Sequence, residues 1–217
     1  MPGIKFRLFE LRERRPNFVV SRPPTIVPYL GVEWPARIEQ IVSGNAHCIA
    51  LRDIRDFGSC SCSENCFLHT CNNAVSAVCC TEDNFNLQGL CSKSPRARST
   101  LRLFASARVG LGVFTTTDLD VGDIVAEYTG DLSEFDAIFE GQLDAALKEN
   151  SSYTLLLNTK STRRKYVDVD AVKRGSIARY ISHSCNPNVV FVEVQYRKTV
   201  KVLVRMLEDV KGGHRLR

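Results

Sequence analysis

Seven of the nine cysteines in this chain of 217 residues fall between residues 60 and 91, at spacings that suit zinc binding. Zinc takes four thiolates in a tetrahedron, and cysteines separated by a few residues supply half a site from one turn. Because two separate sites would need eight ligands, seven thiolates predict two zinc ions that share one bridging sulfur, with His69 as an alternative ligand. The predicted ligands are Cys60, Cys62, Cys66, Cys71, Cys79, Cys80 and Cys91.

A disulfide framework in a secreted protein is the alternative explanation of this cysteine cluster. Residues 60–91 contain few large apolar side chains, so the segment needs either metal or disulfides to hold its fold. The N-terminal sequence MPGIKFRLFELRERR is charged throughout and lacks the apolar stretch of a signal peptide. No apolar run is long enough to span a bilayer. We therefore expect a reducing, intracellular compartment, which favours metal.

A second group of polar residues lies in the sequence RYISHSCNPN, where His183 and Cys185 could ligate a metal, form a turn or line an active site. Two glycine-containing segments precede it. Glycine lets a backbone adopt unusual dihedral angles and approach a ligand closely, although a simple β-turn is the alternative explanation of the first segment. The three segments are RVGLGVF at 108–114, EYTGDL at 127–132 and GSIARYISHSCNPNVVF at 175–191.

The sequence after residue 100 is typical of short strands joined by turns. The apolar runs at 111–114 and 121–128 flank the turn signal DLDVGD. Four more segments have strand character, namely SYTLLLN, KYVDVD, VVFVEVQ and TVKVLVRM. Residues 133–149 have the apolar spacing of a helix, with Ser133 and Asp136 as a capping box, and SIARYIS predicts one or two short helical turns.

Composition divides the chain into three regions. Residues 1–45 contain several prolines, which prevent long regular elements and predict an extended lead-in. Residues 46–95 hold the cysteine cluster, and residues 96–217 hold the strand-like segments and the motifs. The net charge of +5 fits contact with nucleic acid or chromatin, but an ordinary solvated basic surface explains the charge equally well.

The three motifs, in this order, resemble those of the SET-domain protein lysine methyltransferases. The cysteine cluster before them is similar to the AWS-type zinc segment that precedes the SET domain in histone methyltransferases. The resemblance covers roughly residues 60–217 and is most specific in the third motif. It implies a mainly β fold, the β-clip or SET fold of small sheets with a few short helices. It also implies a small cysteine-rich subdomain that bound zinc holds together.

The same resemblance implies an activity and its partners. The chain would transfer a methyl group from S-adenosylmethionine to a lysine of a histone tail, with H3 as the expected histone. Nucleosomes would be its partners in the nucleus. The basic net charge adds the expectation of non-specific DNA contact, and the lack of a long apolar run that of no membrane contact. The lysine amine must be uncharged to attack the methyl group. The residues of the site would mainly align the amine with this methyl group, and the zinc would be structural.

The resemblance also assigns roles to individual residues. Tyr153 would be the catalytic residue, bordering the methyl-transfer site and orienting the lysine amine. The family usually has an aromatic residue at the position of Leu111 and an asparagine at that of Ser182, so both differences should weaken cofactor binding. The implied cofactor-binding residues are Val109, Gly110, Leu111, Tyr153, Ser182 and His183.

Other residues of the motifs are expected to support the site. The sequence Asn186–Pro187–Asn188 predicts a rigid turn into the next strand. Asp168 and Arg179 are expected to support the third motif by pairing their charges, and Tyr128 to pack within a sheet.

Two features of the family have no counterpart up to Arg217, namely a tyrosine that lines the lysine channel and a second cysteine-rich segment. Cys185 is therefore left without partner ligands. We expect these 217 residues alone to have little or no methyltransferase activity, whether as an incomplete gene model or as a natural inactive relative. The alternative function is that of a catalytically inactive, zinc-containing chromatin-binding protein.

Overall fold

Short strands are the main regular elements of the structure, which is a computed structural model. It describes residues 29–41, 49–55, 58, 60, 62, 71–78, 80, 98–106, 110–136 and 153–217. The strands within these ranges are β1 (Gly31–Val32), β2 (Glu39–Gln40), β3 (Leu101–Ser106), β4 (Gly110–Thr115), β5 (Ile124–Tyr128), β6 (Asp131–Phe135), β7 (Thr154–Leu156), β8 (Tyr166–Asp170), β9 (Arg174–Gly175), β10 (Val189–Tyr196), β11 (Thr199–Met206) and β12 (Arg215–Leu216).

The two described helices are short. Helix α1 covers Asn72–Val75 in the cysteine-rich region, and a 3₁₀ helix covers Ile177–Tyr180 in the third motif. The side chain of Ser176 caps the 3₁₀ helix by accepting a hydrogen bond from the backbone N–H of Ala178. Neither helix has the length or the apolar character that crossing a membrane would require.

The strands form four small sheets rather than one large one. Their orders are β1-β3-β4-β12, β10-β11-β5, β2-β9 and β6-β8-β7. Among the strand pairs of the described residues, only β2–β9 is parallel. The longest pair, β10 with β11, is rich in valine, and its antiparallel register runs from Val189 opposite Met206 to Tyr196 opposite Thr199. Branched side chains pack well on such pleated surfaces, which explains the strand character of both segments. The structure confirms the predicted mainly β fold.

The three larger sheets contribute side chains to a shared apolar core. Val113 on β4, Val125 on β5 and Val204 on β11 are fully buried in it. Leu216 on β12 is also fully buried, so the last strand belongs to the core. Burial of side chains of this size typically contributes about 2 kcal/mol each. The core therefore fixes the strands from which the motifs project.

The predicted helix over residues 133–149 is wrong at its start. Residues 131–135 form β6, which pairs with β8 in a register that sets Ser133 opposite Asp168. The Ser133 hydroxyl donates to a carboxylate oxygen of Asp168 at 2.5 Å, so it does not cap a helix. Pairing across strands thus overrides the local apolar spacing. Residues 137–149 lie outside the described residues.

Part of the proline-containing lead-in pairs with the sheets. Strand β1 adds to the edge of β3, and β2 pairs with β9 through Glu39 opposite Arg174 and Gln40 opposite Gly175. These pairings hold residues 29–41 against β3 and against the start of the third motif. The boundaries of the three regions themselves stay a prediction.

Candidate functional site

A cavity of about 590 Å³ lies where the third motif meets the glycine-containing strand β4 and the lead-in. Its size is in the range of sites that bind cofactor-sized molecules. Three of the five sequence segments that line it contain residues that were predicted to bind the cofactor. The lining residues are Pro35, Arg37, Ile38, Gly110, Leu111, Tyr153, Val172, Arg179, Tyr180, Ile181, Ser182 and His183.

The lead-in builds one wall of this cavity, which the sequence analysis did not predict. The indole N–H of Trp34 donates to the Ile38 carbonyl at 2.6 Å, and the Ile38 N–H donates to the Pro35 carbonyl at 3.0 Å. The Trp34 ring also packs edge-on against Tyr180, with ring centroids 5.3 Å apart. This tight turn holds the exposed Arg37 at the cavity wall.

Arg179 forms part of the cavity floor and is only 7% exposed. Its guanidinium donates to the Tyr180 hydroxyl at 2.8 Å and to the Val172 carbonyl at 3.2 Å. It also stacks 4.2 Å from the centre of the Tyr153 ring. These contacts are with neutral groups, whereas the sequence predicted a charge pair with Asp168. Stacked in this way, a buried guanidinium fixes the position of a neighbouring ring.

Tyr153 is fixed at its backbone as well as at its ring. Its carbonyl accepts hydrogen bonds from the Tyr128 hydroxyl at 2.6 Å and from the Ala171 N–H at 3.1 Å. Burial raises the pKa of Tyr128 to about 12, so this hydroxyl keeps its proton at neutral pH and remains a donor. Tyr128 packs in its sheet as predicted, and it also positions the predicted catalytic tyrosine.

Gly110 presents open backbone at the cavity. Its φ is +75°, a conformation that favours glycine, and no atom lies within 4 Å of the place where a Cβ would be. A ligand could therefore approach this backbone directly. Leu111 beside it is half-buried. Val109 lies outside the described residues.

Ser182 and His183 form the opposite edge of the cavity. The Ser182 hydroxyl accepts a hydrogen bond from the guanidinium of Arg215 at 2.7 Å, so the last strand is tied to the third motif. His183 is exposed at the rim. The sequence predicted weaker binding because serine replaces asparagine, but it did not predict that an arginine would engage this serine.

These residues fit a cofactor of the S-adenosylmethionine type. Such a molecule carries an aromatic base, a sulfonium and an amino-acid end with a carboxylate. The cavity combines open backbone at Gly110, the rings of Tyr153 and Tyr180, and the guanidinium of Arg37. Rings and backbone groups suit a base, and a guanidinium suits a carboxylate.

The cysteine cluster is a second candidate site, separate in the sequence from the cavity. The sulfur atoms of Cys60, Cys62 and Cys71 all lie within 4.8 Å of one another, and the sulfur of Cys80 is 3.8 Å from that of Cys71. All four side chains are buried. Thiolates around one zinc ion stand roughly 4 Å apart, so Cys60, Cys62 and Cys71 fit three positions of a tetrahedral thiolate site, and Cys80 lies beside Cys71. The other predicted ligands, Cys66, Cys79, Cys91 and His69, lie outside the described residues.

The described part of the cysteine-rich region docks on the sheet formed by β10, β11 and β5. Val78 forms a β-bridge with Gln195, and the Gln195 N–H donates to the Ala77 carbonyl at 3.1 Å. Helix α1 begins directly after Cys71, so the docking fixes one sulfur of the cluster. Cys185 is exposed in the loop of the third motif and belongs to no metal-ligand group among the described residues.

The fold and the cavity together are typical of one class of protein. Small sheets surround a cofactor-sized site, and this site is lined by the glycine-containing strand β4 and by Ser182 and His183 of the sequence SHSC. A model of the SET domain family matches residues 110–216. Residues 110–216 are therefore identified as a SET domain, and the resemblance read from the three motifs is confirmed. The cysteines before this domain are compatible with a pre-SET-like segment.

Relatives and solved structures agree with this assignment. The chain is 29% identical over 201 residues to the Variant-silencing SET domain-containing protein of Plasmodium falciparum, covering 87% of this chain and 8% of the relative. It is 26% identical over 168 residues to the H3 lysine-36 specific histone-lysine N-methyltransferase of Candida glabrata, covering 70% and 22% respectively. The curated relatives are thus far longer than the matched region.

The fold is also similar to that of a solved complex. The structure of KRYPTONITE with mCHH DNA, an H3(1-15) peptide and SAH superposes with a TM-score of 0.57. The sequences are 19% identical, and the match covers 85% of this chain and 41% of that one. At this identity the similarity concerns the fold.

Proposed function

We propose that this chain binds S-adenosylmethionine and belongs to an enzyme that methylates a lysine of a histone tail. H3 is the proposed histone, the nucleosome the proposed partner, and chromatin in the nucleus the proposed location. The observation that carries the proposal is the convergence of Gly110, Tyr153 and Ser182 on one cavity of about 590 Å³. Three distant parts of the sequence that resemble the cofactor-binding motifs of one family meet there.

The residues of the cavity have distinct proposed roles. S-adenosylmethionine supplies an electrophilic methyl group when it is bound. Gly110, Leu111, Ser182 and His183 would hold it, with Val109 as a further proposed contact. Tyr153 would orient the lysine amine, because Arg179 and Tyr128 fix its ring and its backbone. The positive charge of the Arg179 guanidinium beside Tyr153 would favour the uncharged amine, which is the form that can attack.

Calorimetric titration with S-adenosylmethionine tests this proposal directly. Binding depends on the described cavity, whereas methyl transfer also requires an aligned lysine. We expect a dissociation constant in about the micromolar range. Failure to bind at millimolar concentrations would favour the alternative, an inactive SET-like chromatin-binding protein.

Transfer of a labelled methyl group to histone octamers or nucleosomes tests the activity itself. The expectation that these 217 residues alone have little activity stays a prediction, and robust methylation would show it to be wrong. A variant Tyr153→Phe should reduce whatever transfer is detected by about tenfold or more, since it removes the hydroxyl that would orient the amine. Its affinity for the cofactor should change little.

Arg37 provides a prediction about the amino-acid end of the cofactor. Arg37→Ala should weaken binding of S-adenosylmethionine by about three- to tenfold, because an exposed charge-assisted contact contributes roughly 1 kcal/mol. Methylthioadenosine, which lacks the amino-acid end, is the matched control ligand and should bind both proteins equally. Equal losses for the two ligands would instead indicate that the lead-in wall had shifted.

Metal removal provides a prediction about the cysteine cluster. We propose structural zinc in a segment of the AWS or pre-SET type, with two ions per chain. A strong chelator should make the buried thiols of Cys60, Cys62, Cys71 and Cys80 reactive toward a thiol reagent and should unfold this region. The exposed Cys185 serves as an internal control, because it should react before and after chelation. Release of one zinc ion per chain, rather than two, would correct the stoichiometry.

A further inference from the structure

Three loops that are distant in sequence meet at one place on the protein. They are residues 50–55, 158–165 and 195–198, and we refer to them together as the basic loop surface. Leu51 forms a β-bridge with Ser161, and the Thr162 N–H donates to the Ala50 carbonyl at 2.8 Å. The third loop joins the first through the side chain of Gln195, which donates to the Arg52 carbonyl at 2.7 Å. The arrangement is therefore held by defined hydrogen bonds.

This surface concentrates positive charge. Its three loops contain one acidic residue, Asp53, and eight basic ones. Because the whole chain has a net charge of only +5, the remainder of the chain is slightly negative. The basic residues are Arg52, Arg55, Lys160, Arg163, Arg164, Lys165, Arg197 and Lys198, of which Lys165 is half-buried and the others are exposed.

Backbone conformation supplies an independent observation. Four residues other than glycine have a positive φ in the described part of the chain, and three of them are arginines of this surface. These are Arg55 at +66°, Arg164 at +61° and Arg197 at +50°. Glycine or asparagine would adopt this conformation with less strain. Residues held at a cost in stability are a reason to look for a function of their side chains.

Nearby carboxylates neutralise only part of the charge. Glu134 lies 3.6 Å from Arg163, and Asp136 lies 3.2 Å from Lys165. The carboxylate of Glu193 instead accepts hydrogen bonds from the backbone N–H groups of Asn158 and Thr159, so it braces the second loop. The side chains of Arg52, Arg55, Arg164 and Lys198 have no carboxylate partner among the described residues. The backbone N–H of Arg55 donates to the carboxylate of Asp53 at 2.8 Å.

We propose that the basic loop surface binds the phosphate backbone of duplex DNA. Exposed cations on several separate, braced loops suit a stiff polyanion that presents phosphates over a wide area. The two tyrosines of this region, Tyr166 and Tyr196, are half-buried beneath Lys160 and Arg197, so they offer no open ring on which a base could stack. That favours duplex over single-stranded nucleic acid. None of the surface residues lines the cofactor cavity, so the two activities can be tested separately.

The test is fluorescence anisotropy of a labelled 25-base-pair duplex of arbitrary sequence with the 217-residue chain, repeated over a series of salt concentrations. The variant Arg55→Gly/Arg164→Gly/Arg197→Gly should bind at least tenfold more weakly at low salt. Each lost phosphate contact reduces the slope of log K against log salt by about 0.9, so the slope should become shallower by about two to three. Glycine suits these backbone positions, so the melting temperature should not fall by more than about 3 °C.

The control variant Arg102→Gln/Lys173→Gln/Lys211→Gln removes the same number of charges from exposed positions outside the three loops. It should keep most of the affinity, and equal losses in the two variants would overturn the proposal. If the glycine variant melts early, Arg52→Gln/Lys198→Gln replaces it, and unchanged duplex binding there would also overturn it. Tighter binding of a single-stranded RNA of equal length would contradict the choice of duplex DNA.

Discussion

Replacing Asn188 with alanine should lower the free energy of unfolding by about 3 kcal/mol and weaken cofactor binding at the same time. The side chain is buried, and its amide donates to the Arg215 carbonyl at 2.8 Å. Its oxygen accepts from the Arg217 N–H, also at 2.8 Å. Alanine would leave both backbone groups without their partner, and an unsatisfied buried group costs about 1–3 kcal/mol.

The effect should reach the cavity because Asn188 holds strand β12 in place. That strand carries Arg215, whose guanidinium donates to the Ser182 hydroxyl at the cavity edge. Loosening β12 would remove this contact and expose Leu216, which is fully buried. We therefore expect Asn188→Ala to shift both the denaturant midpoint and the dissociation constant for S-adenosylmethionine, the latter by about tenfold.

Asn186→Ala is the matched control, because it changes the same residue type two positions earlier in the same turn. Asn186 is exposed, and its hydrogen bonds to the Ser184 hydroxyl use backbone atoms that alanine retains. This variant should change stability by less than about 0.5 kcal/mol. If both variants lost similar stability and affinity, the rigidity of the turn would be the cause, rather than the hydrogen bonds from Asn188 to β12 and Arg217.

The role of Asn188 also shows what the sequence alone could predict. The turn was predicted from the asparagine and proline residues, since these residue types bend a chain for local reasons. The hydrogen bonds of the Asn188 side chain depend on residues 215–217, which meet the turn only after the core has formed. In the same way the strands of 189–206 were predictable from their valines, because alternating branched residues favour strands wherever they occur.

The parts of the site that sequence could not predict all depend on pairing between distant segments. The position of Arg37 at the cavity depends on the parallel pairing of β2 with β9, which no local pattern indicates. The start of the predicted helix failed because β8 pairs with residues 131–135. The sulfurs of Cys60, Cys62 and Cys71 do come together, and that of Cys80 lies beside Cys71, as the density of cysteines in this segment predicted.

The change Gly130→Ala should be the most destabilising single substitution among those considered, by about 3 kcal/mol or more. A Cβ at this position would lie 2.3 Å from the Asp170 carbonyl oxygen and 2.6 Å from its carbonyl carbon. Both atoms belong to the backbone, so no side-chain rotation can relieve the overlap. We expect a large loss in the denaturant midpoint, or failure to fold at 37 °C.

Gly31→Ala is the control, because a Cβ there would meet its nearest atom, the Leu103 carbonyl oxygen, at 4.0 Å. It should be close to neutral, within about 0.5 kcal/mol. If Gly130→Ala were equally mild, the β6–β8 pair would have to separate at low cost, and its fixed register would not be a requirement of the fold. A stable Gly130→Ala protein with normal cofactor binding would therefore contradict the packing described above.

Gly110 and Gly130 show two different reasons why these motifs contain glycine. Gly110 faces open space at the cavity, so the structure allows a ligand to reach its backbone. Gly130 instead lies against the backbone at Asp170, and the next residue, Ala171, donates its N–H to the Tyr153 carbonyl at 3.1 Å. Displacing that strand would move the tyrosine that is proposed to orient the lysine. The glycine of EYTGDL thus affects the site without touching a ligand, because it permits the close approach that fixes Tyr153.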